Sequence, residues 1–250
     1  MDGLPLSDVA SGVEGFDVAW LRDGSEVREP LPSAVGTAFE SVAPVREFPS
    51  YRGQRHFPGL YWAASTSSHV GFESWLERDH AIVLDFDRKV VAFASQPFWL
   101  RWRDTATGLT RSHAPDFFAR LAGGGGLVVD CRPAGRVDAR SAAAFAAMGQ
   151  ACAAVGWQYR LAAELDPVRV ANLRWLAGYR HRRCGEPGLA AAVCSAFWSP
   201  APLLAQAATV GDPIAVLPVV FHLLWQGLLV VDLSRPLTDH TLVSRAEATR

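Results

Sequence analysis

Two short runs, residues 16–21 and 25–28, flank Arg22-Asp23-Gly24 and predict a β-hairpin closed by an Asp-Gly turn. Residues 30–68 are rich in Pro, Ser and Gly, show no clear period, and are expected to wrap the core. From Gly71 the period becomes helical. Phe72, Leu76 and Val83 fall on one face, with Ser67 or Ser68 as the cap. Strands are predicted over 90–95, 98–103 and 112–121, the last two separated by Thr105-Ala106-Thr107-Gly108. A glycine turn at 123–126 leads into a further strand, Leu127-Val128-Val129-Asp130-Cys131-Arg132. Asp138 can cap an Ala-rich helix reaching about residue 155, residues 157–162 read as a strand, and Asp166-Pro167 opens a helix through Tyr179. Helix, three strands, strand, helix, strand, helix is an α/β (α+β) order with a mixed sheet flanked by helices. Residues 180–188 read as a linker. Helices near 189–197, 200–209 and 213–225 and a hairpin over 228–243 then suggest a small winged-helix-like domain. The expected division is therefore 1–180, including an N-terminal extension, and 181–250.

Composition narrows the function classes. The chain has 250 residues, half of them hydrophobic and 20% charged, which supports a sizeable core. A net charge of −1 excludes a polycation, so nucleic acid would be met through a local basic patch or through partners. Lys89 is the only lysine. The most apolar stretch, 214–231, contains Pro218, His222, Gln226 and Gly227 and reads as a buried helix running into a strand, not as a membrane span. The start has no cationic segment followed by an apolar run, so no signal peptide is expected. Cys131, Cys152, Cys184 and Cys194 show neither CxxC pairing nor metal-ligand spacing, which fits reduced thiols in a cytoplasmic protein. Trp198, Trp225 and the cysteines are expected in the core.

The chemistry is concentrated in Pro115-Asp116 and Asp130-Cys131-Arg132. The aspartates are 14 residues apart across the glycine turn, so their segments can be neighbouring antiparallel strands. Strand alternation puts Asp130 and Arg132 on one face, and Asp116 can oppose Asp130. Two converging carboxylates repel unless a cation lies between them, and hard oxygen ligands suit Mg²⁺ or Mn²⁺. Such an ion lowers the pKa of bound water and stabilises charge developing on a phosphate. The preceding helix offers Glu77, and Glu73 one turn earlier, as a third acidic element; either can reach the metal.

Ser74-Trp75-Leu76-Glu77, Gln96-Pro97-Phe98, Pro115-Asp116-Phe117, Val129-Asp130-Cys131-Arg132-Pro133 and Asn172-Leu173-Arg174-Trp175-Leu176 occur in an order and spacing that resemble the TnsA-like endonuclease subunit of heteromeric transposases. That group belongs to the PD-(D/E)xK nucleases, and the resemblance covers roughly residues 70–180. It implies a restriction-endonuclease-like fold. It also implies a Mg²⁺- or Mn²⁺-dependent subunit cutting the 5′ ends of a mobile element in double-stranded DNA. An integrase-like transposase subunit cuts the 3′ ends, and an AAA+ ATPase regulator is contacted through the C-terminal part. By the same resemblance Glu77, Asp116, Asp130 and Arg132 are active-site positions, and Glu77, Asp116, Asp130 and the Cys131 backbone carbonyl are the metal ligands. The sequence departs from the pattern at two places. Asp130 stands where Gln or Glu is frequent. Arg132 stands where lysine is usual, and arginine stays protonated, so it cannot act as a base.

Gln96 is a candidate for lining the site or touching DNA, against simple strand-edge bonding. Arg180, Arg182 and Arg183 form a basic cluster suited to phosphate, or to a helix C-terminus. His113 alternates away from Asp116 and reads as structural. The helix over 216–225 is too apolar to read a DNA groove. Two other functions stay open: a stand-alone restriction or repair nuclease, and a non-catalytic DNA- or partner-binding subunit with a decayed site.

Overall fold

In the computed structural model, which describes residues 13–48 and 57–247, Asp23 and Gly24 both take positive φ, 52° and 77°. That is the backbone a two-residue hairpin requires. β1 (Val13–Arg22) therefore folds back on β2 (Ser25–Pro30) with Arg22 opposite Ser25. After α1 (Leu31–Ala34) and a single 3-10 turn at Phe39–Ser41 comes a second hairpin, β3 (Gly59–Ala63) and β4 (Ser68–Phe72), within the stretch that shows no period in sequence. Its turn is pinned by a buried carboxylate: Asp85 accepts from Tyr61 Oη and from the Ala64 and Ser65 amides at 2.8–2.9 Å. Gly71 and Phe72 thus belong to a strand. The helix α2 (Trp75–Phe86) starts later than the period suggests and is capped by Ser74 in place of Ser67 or Ser68.

β5 (Val90–Ser95), β6 (Trp99–Asp104), β7 (Thr110–His113), β8 (Phe117–Leu121), β9 (Gly126–Cys131), α3 (Ala139–Ala154) and β10 (Gln158–Ala162) complete the first unit, which spans Met1–Glu164. The single strand expected over 112–121 is two. Pro115 has no amide to give a ladder, and the chain breaks at 114–116 and changes sheet. β7 closes the antiparallel sheet β2-β1-β6-β7, while β8 enters the sheet β10-β9-β8-β5. In the latter β5, β8 and β9 are antiparallel and β10 runs parallel to β9, so the pairing is mixed as expected.

Phe39 is the hub of the core. Its ring lies 4.8–5.9 Å from those of Trp20, Phe98, Phe118 and Trp157, and Met148, Ala151 and Cys152 of α3 complete the same cluster. Gly126 is fixed by this packing. A Cβ there would stand 2.8 Å from the Phe118 ring and 2.9 Å from that of Trp157.

The second unit, Leu165–Arg250, contains α4 (Pro167–Ala177), a 3-10 turn at Arg182–Cys184, α5 (Pro187–Ala196), β11 (Ala201–Pro202), α6 (Leu203–Val210), α7 (Pro213–Trp225), β12 (Leu229–Val230) and β13 (Leu242–Arg245). The three strands form one sheet in the order β11-β13-β12. The boundary falls at 164/165 and not at 180/181, because α4 is tied to this unit. The Asn172 amide, buried on α4, donates to the carbonyls of Leu233 and Arg235 and accepts the Leu237 N–H. Trp225 is buried as expected, but Trp198 is 73% exposed, with the Arg245 guanidinium 5.3 Å from its ring. Of the cysteines, all free thiols, Cys152 is buried and the others are partly open. Among the described residues no single helix is long and apolar enough to cross a membrane; α6 and α7 reach that length only as a pair bent by 116°.

Candidate active site

The first carboxylate is placed by a helix cap. Ser74 Oγ accepts the Glu77 amide at 3.2 Å and donates to Glu77 Oε1 at 2.8 Å, while Glu77 Oε2 accepts the Glu73 amide at 2.7 Å. This is a variant of the Ser-x-x-Glu capping box, with the glutamate reaching one residue past the cap. The motif was present in the sequence and locates the helix start better than the hydrophobic period does. Burial pushes the Glu77 carboxyl above the usual range, opposed in part by these hydrogen bonds. Glu73 lines the same cleft and is already paired there. Its Oε2 pairs with Arg46 Nη2 at 2.7 Å.

Asp116 lies in the break between β7 and β8. The β8–β9 register pairs Phe117 with Val129, and one further step brings Asp116 opposite Asp130. Asp116 Oδ2 accepts the Cys131 amide at 2.6 Å. Its carboxyl is pushed well up by burial first, then by the negative charges of Glu77 and Asp130. Asp116 therefore senses both of the other carboxylates. Burial and the same carboxylates raise the Cys131 thiol as well, which keeps it protonated.

Asp130 is the most enclosed of the three, at 1% exposure. Its Oδ1 is 2.8 Å from His113 Nε2 and its Oδ2 accepts from Tyr159 Oη at 2.8 Å. Burial and the Asp130 charge raise the Tyr159 phenol far above its ordinary value, so it stays a donor. His113 is thus a residue of the site and not a remote structural one. The alternation that pointed it away from Asp116 assumed an unbroken strand, and the break at Pro115 removes that assumption.

Arg132 follows β9. Its Nη2 donates to Ser141 Oγ at 3.0 Å, its Cζ lies 5.9 Å from the Phe145 ring centroid, and its buried Nε has no partner. All four expected residues line one open cleft of about 860 Å³, together with Arg46, Arg136, Trp99, His113 and Phe145. The cleft pairs an acidic floor with three arginines.

The chain matches no family model and no characterised relative.

Gln96 does not line this cleft. Its side chain is 1% exposed with both amide atoms unpartnered, and its φ is +47°. Its main chain makes the link, the amide donating to the Asp116 carbonyl at 3.1 Å and the carbonyl accepting from Val45. That placement favours strand-edge bonding over DNA contact. Arg180, Arg182 and Arg183 all lie in the second unit. Arg180 donates to the Ala177 carbonyl at the end of α4, while Arg182 and Arg183 are exposed.

Among the described residues no three His, Cys, Asp or Glu side chains form a ready-made metal cage. The donor chemistry nevertheless fits a hard cation. A carboxylate offers about four acceptor positions; Asp116 uses one, and Glu77 and Asp130 two each. Acceptor capacity and mutual repulsion both remain, and a divalent ion would relieve the repulsion.

Proposed function

We propose that the first unit is a Mg²⁺- or Mn²⁺-dependent DNA endonuclease, serving as the 5′-end-cutting subunit of a heteromeric transposase. The observation that carries the nuclease reading is the meeting of Glu77, Asp116, Asp130 and Arg132 in one cleft, with Asp116 raised by burial first and then by the charges of the other two carboxylates. The order α2, three antiparallel strands, α3 and a parallel strand supports a restriction-endonuclease-like core of the PD-(D/E)xK kind. The transposase role rests on the ordered TnsA-like motifs. Three helices with a β11-β13-β12 sheet fit a winged-helix-like second unit. The apolar α7 is mostly buried within that unit and does not suit groove reading, so the unit's proposed partners are proteins, an integrase-like transposase and an AAA+ regulator.

Glu77, Asp116 and Asp130, with the Cys131 carbonyl, would hold the metal. When bound, it supplies an activated water and charge neutralisation at phosphorus. Arg132 cannot take a proton, so its part is electrostatic, steadying a phosphate oxygen. Arg136 gives the cleft further positive charge for the DNA backbone, while Arg46 is paired with Glu73. The test is cleavage of transposon-end DNA by the full chain with its partner subunits. Asp116→Ala is expected to reduce cutting at least about a hundredfold, and cutting equal to wild type overturns the proposal.

A second reading, a DNA- or partner-binding subunit with a decayed site, is favoured by one observation. Arg132 is engaged by Ser141 and Phe145 where the pattern has a free lysine. Calorimetric Mn²⁺ titration separates the two readings, since a decayed site gives no binding that depends on Asp116 and Asp130.

A further inference from the structure

We propose that His113, with Tyr159, is a positioning residue that sets the separation of the Asp116 and Asp130 carboxylates. The inference rests on the metal-binding reading of the cleft and deepens it.

His113 ends β7 in one sheet, and Asp130 lies on β9 in the other. The 2.8 Å bond between them crosses from sheet to sheet. Its counterpart runs the opposite way, from the Cys131 amide to Asp116 Oδ2 at 2.6 Å. The segment 113–116 and the strand end 130–131 are therefore locked reciprocally, each lending a donor to the other's carboxylate. Pro115 stiffens the short link between His113 and Asp116, so anchoring His113 on Asp130 fixes where Asp116 can stand.

Two further contacts hold the lock rigid. The His113 ring meets Phe145 edge-on, with centroids 5.6 Å apart, and its backbone pairs with Leu100 in the β6–β7 ladder. On the far side, Tyr159 of β10 donates to the other Asp130 oxygen. Asp130 is thus gripped at both oxygens by side chains from two different sheets and cannot rotate. Partners of this kind orient ligating carboxylates, and losing one typically costs 10- to 100-fold in metal affinity or activity.

The test is Mn²⁺ titration by calorimetry on the full chain, with DNA cleavage kinetics in the reconstituted complex. The proteins are wild type, Asp116→Ala, His113→Ala, His113→Gln and Tyr159→Phe. His113→Ala is expected to weaken Mn²⁺ about 10- to 100-fold and to lower kcat while leaving KM for DNA nearly unchanged. His113→Gln, which keeps a side-chain N–H donor, should recover most of the loss. Tyr159→Phe should weaken Mn²⁺ in the same direction. If His113→Ala does not fold, judged by circular dichroism, Tyr159→Phe decides, because it removes a single oxygen and leaves the ring. Wild-type Mn²⁺ affinity and kcat in the folded His113 and Tyr159 variants overturn the lock while Asp116-dependent binding keeps the metal reading. No Asp116-dependent binding in wild type overturns both.

Discussion

Ser74→Ala tests whether a helix cap and a metal ligand share one hydroxyl. Ser74 Oγ accepts from the Glu77 amide at 3.2 Å and donates to Glu77 Oε1 at 2.8 Å. Loss of an N-cap costs about 1 kcal/mol. Loss of a hydrogen bond to a charged group costs about 1.5–3 kcal/mol. Glu77 keeps the Glu73 amide and can recruit water at the cleft edge, so the combined cost is about 2 kcal/mol. For a chain of this size each kcal/mol moves the midpoint by about 2–4 °C, which gives a fall of about 4–8 °C. Thermal unfolding followed by circular dichroism reads it directly. Ser74→Thr keeps the hydroxyl and should melt within about 2 °C of wild type. The same change frees Glu77, so Ser74→Ala should also weaken Mn²⁺ about tenfold where Ser74→Thr does not. An alanine variant that melts with wild type, or a threonine variant that melts with alanine, refutes the shared-cap reasoning.

Other outcomes follow from the same contacts. Phe39→Ala removes the ring at the centre of the core and should cost about 3–5 kcal/mol in urea unfolding; a loss below about 1 kcal/mol would deny it that place. Burial holds the His80 imidazole below its ordinary value of 6.5, its Nε2 facing the Ala163 carbonyl with Arg160 and Asp79 nearby. The unfolded chain then takes up the proton first, so stability is full above pH 6.5 and declines as pH falls from there through the folded value. His80→Gln should flatten that part of the profile, and an unchanged slope would assign the loss elsewhere. Asn172→Ala leaves the Leu233 and Arg235 carbonyls and the Leu237 amide unpaired, at about 1–3 kcal/mol for each buried group left so. Faster hydrogen exchange at Leu237 is the readout, and unchanged exchange contradicts it. Arg132→Lys keeps the charge and should retain cleavage, whereas Arg132→Met should abolish it; wild-type rates for Met would show the guanidinium idle.

What was legible in the sequence was local. Asp23-Gly24, the glycines before β9, Asp138 and Asp166-Pro167 each determine their backbone within a few residues, and the structure has those turns and caps in place. What escaped depended on distant partners. The 112–121 run reads as one strand by composition, and only the second sheet explains why it breaks at Pro115. His113 then faces Asp130, 17 residues on, where alternation had pointed it away. Likewise α4 looks like the end of the first domain until Asn172 is seen bonding 61 to 65 residues downstream. Trp198 seems a core residue by type, but the fold leaves it 73% exposed beside Arg245.

The candidate site followed the same division. Asp116 and Asp130 could be paired from the Gly-turn spacing, and they stand one step beyond the last ladder pair, Phe117 with Val129. The donors that hold the carboxylates could not be read from that spacing, because each has a different origin: a helix cap for Glu77, a strand amide for Asp116, and two side chains for Asp130. Three unrelated local devices therefore hold these carboxylates together at the floor of one cleft, and the Asp116 carboxyl is raised, by burial first and then by its neighbours' charges. A fold serving stability alone would gain from replacing one of them by a neutral amide, since the bond from Cys131 could be kept by asparagine without the repulsion. On the proposed reading a divalent cation relieves that repulsion, and the arginines of the cleft suit a phosphate beside it.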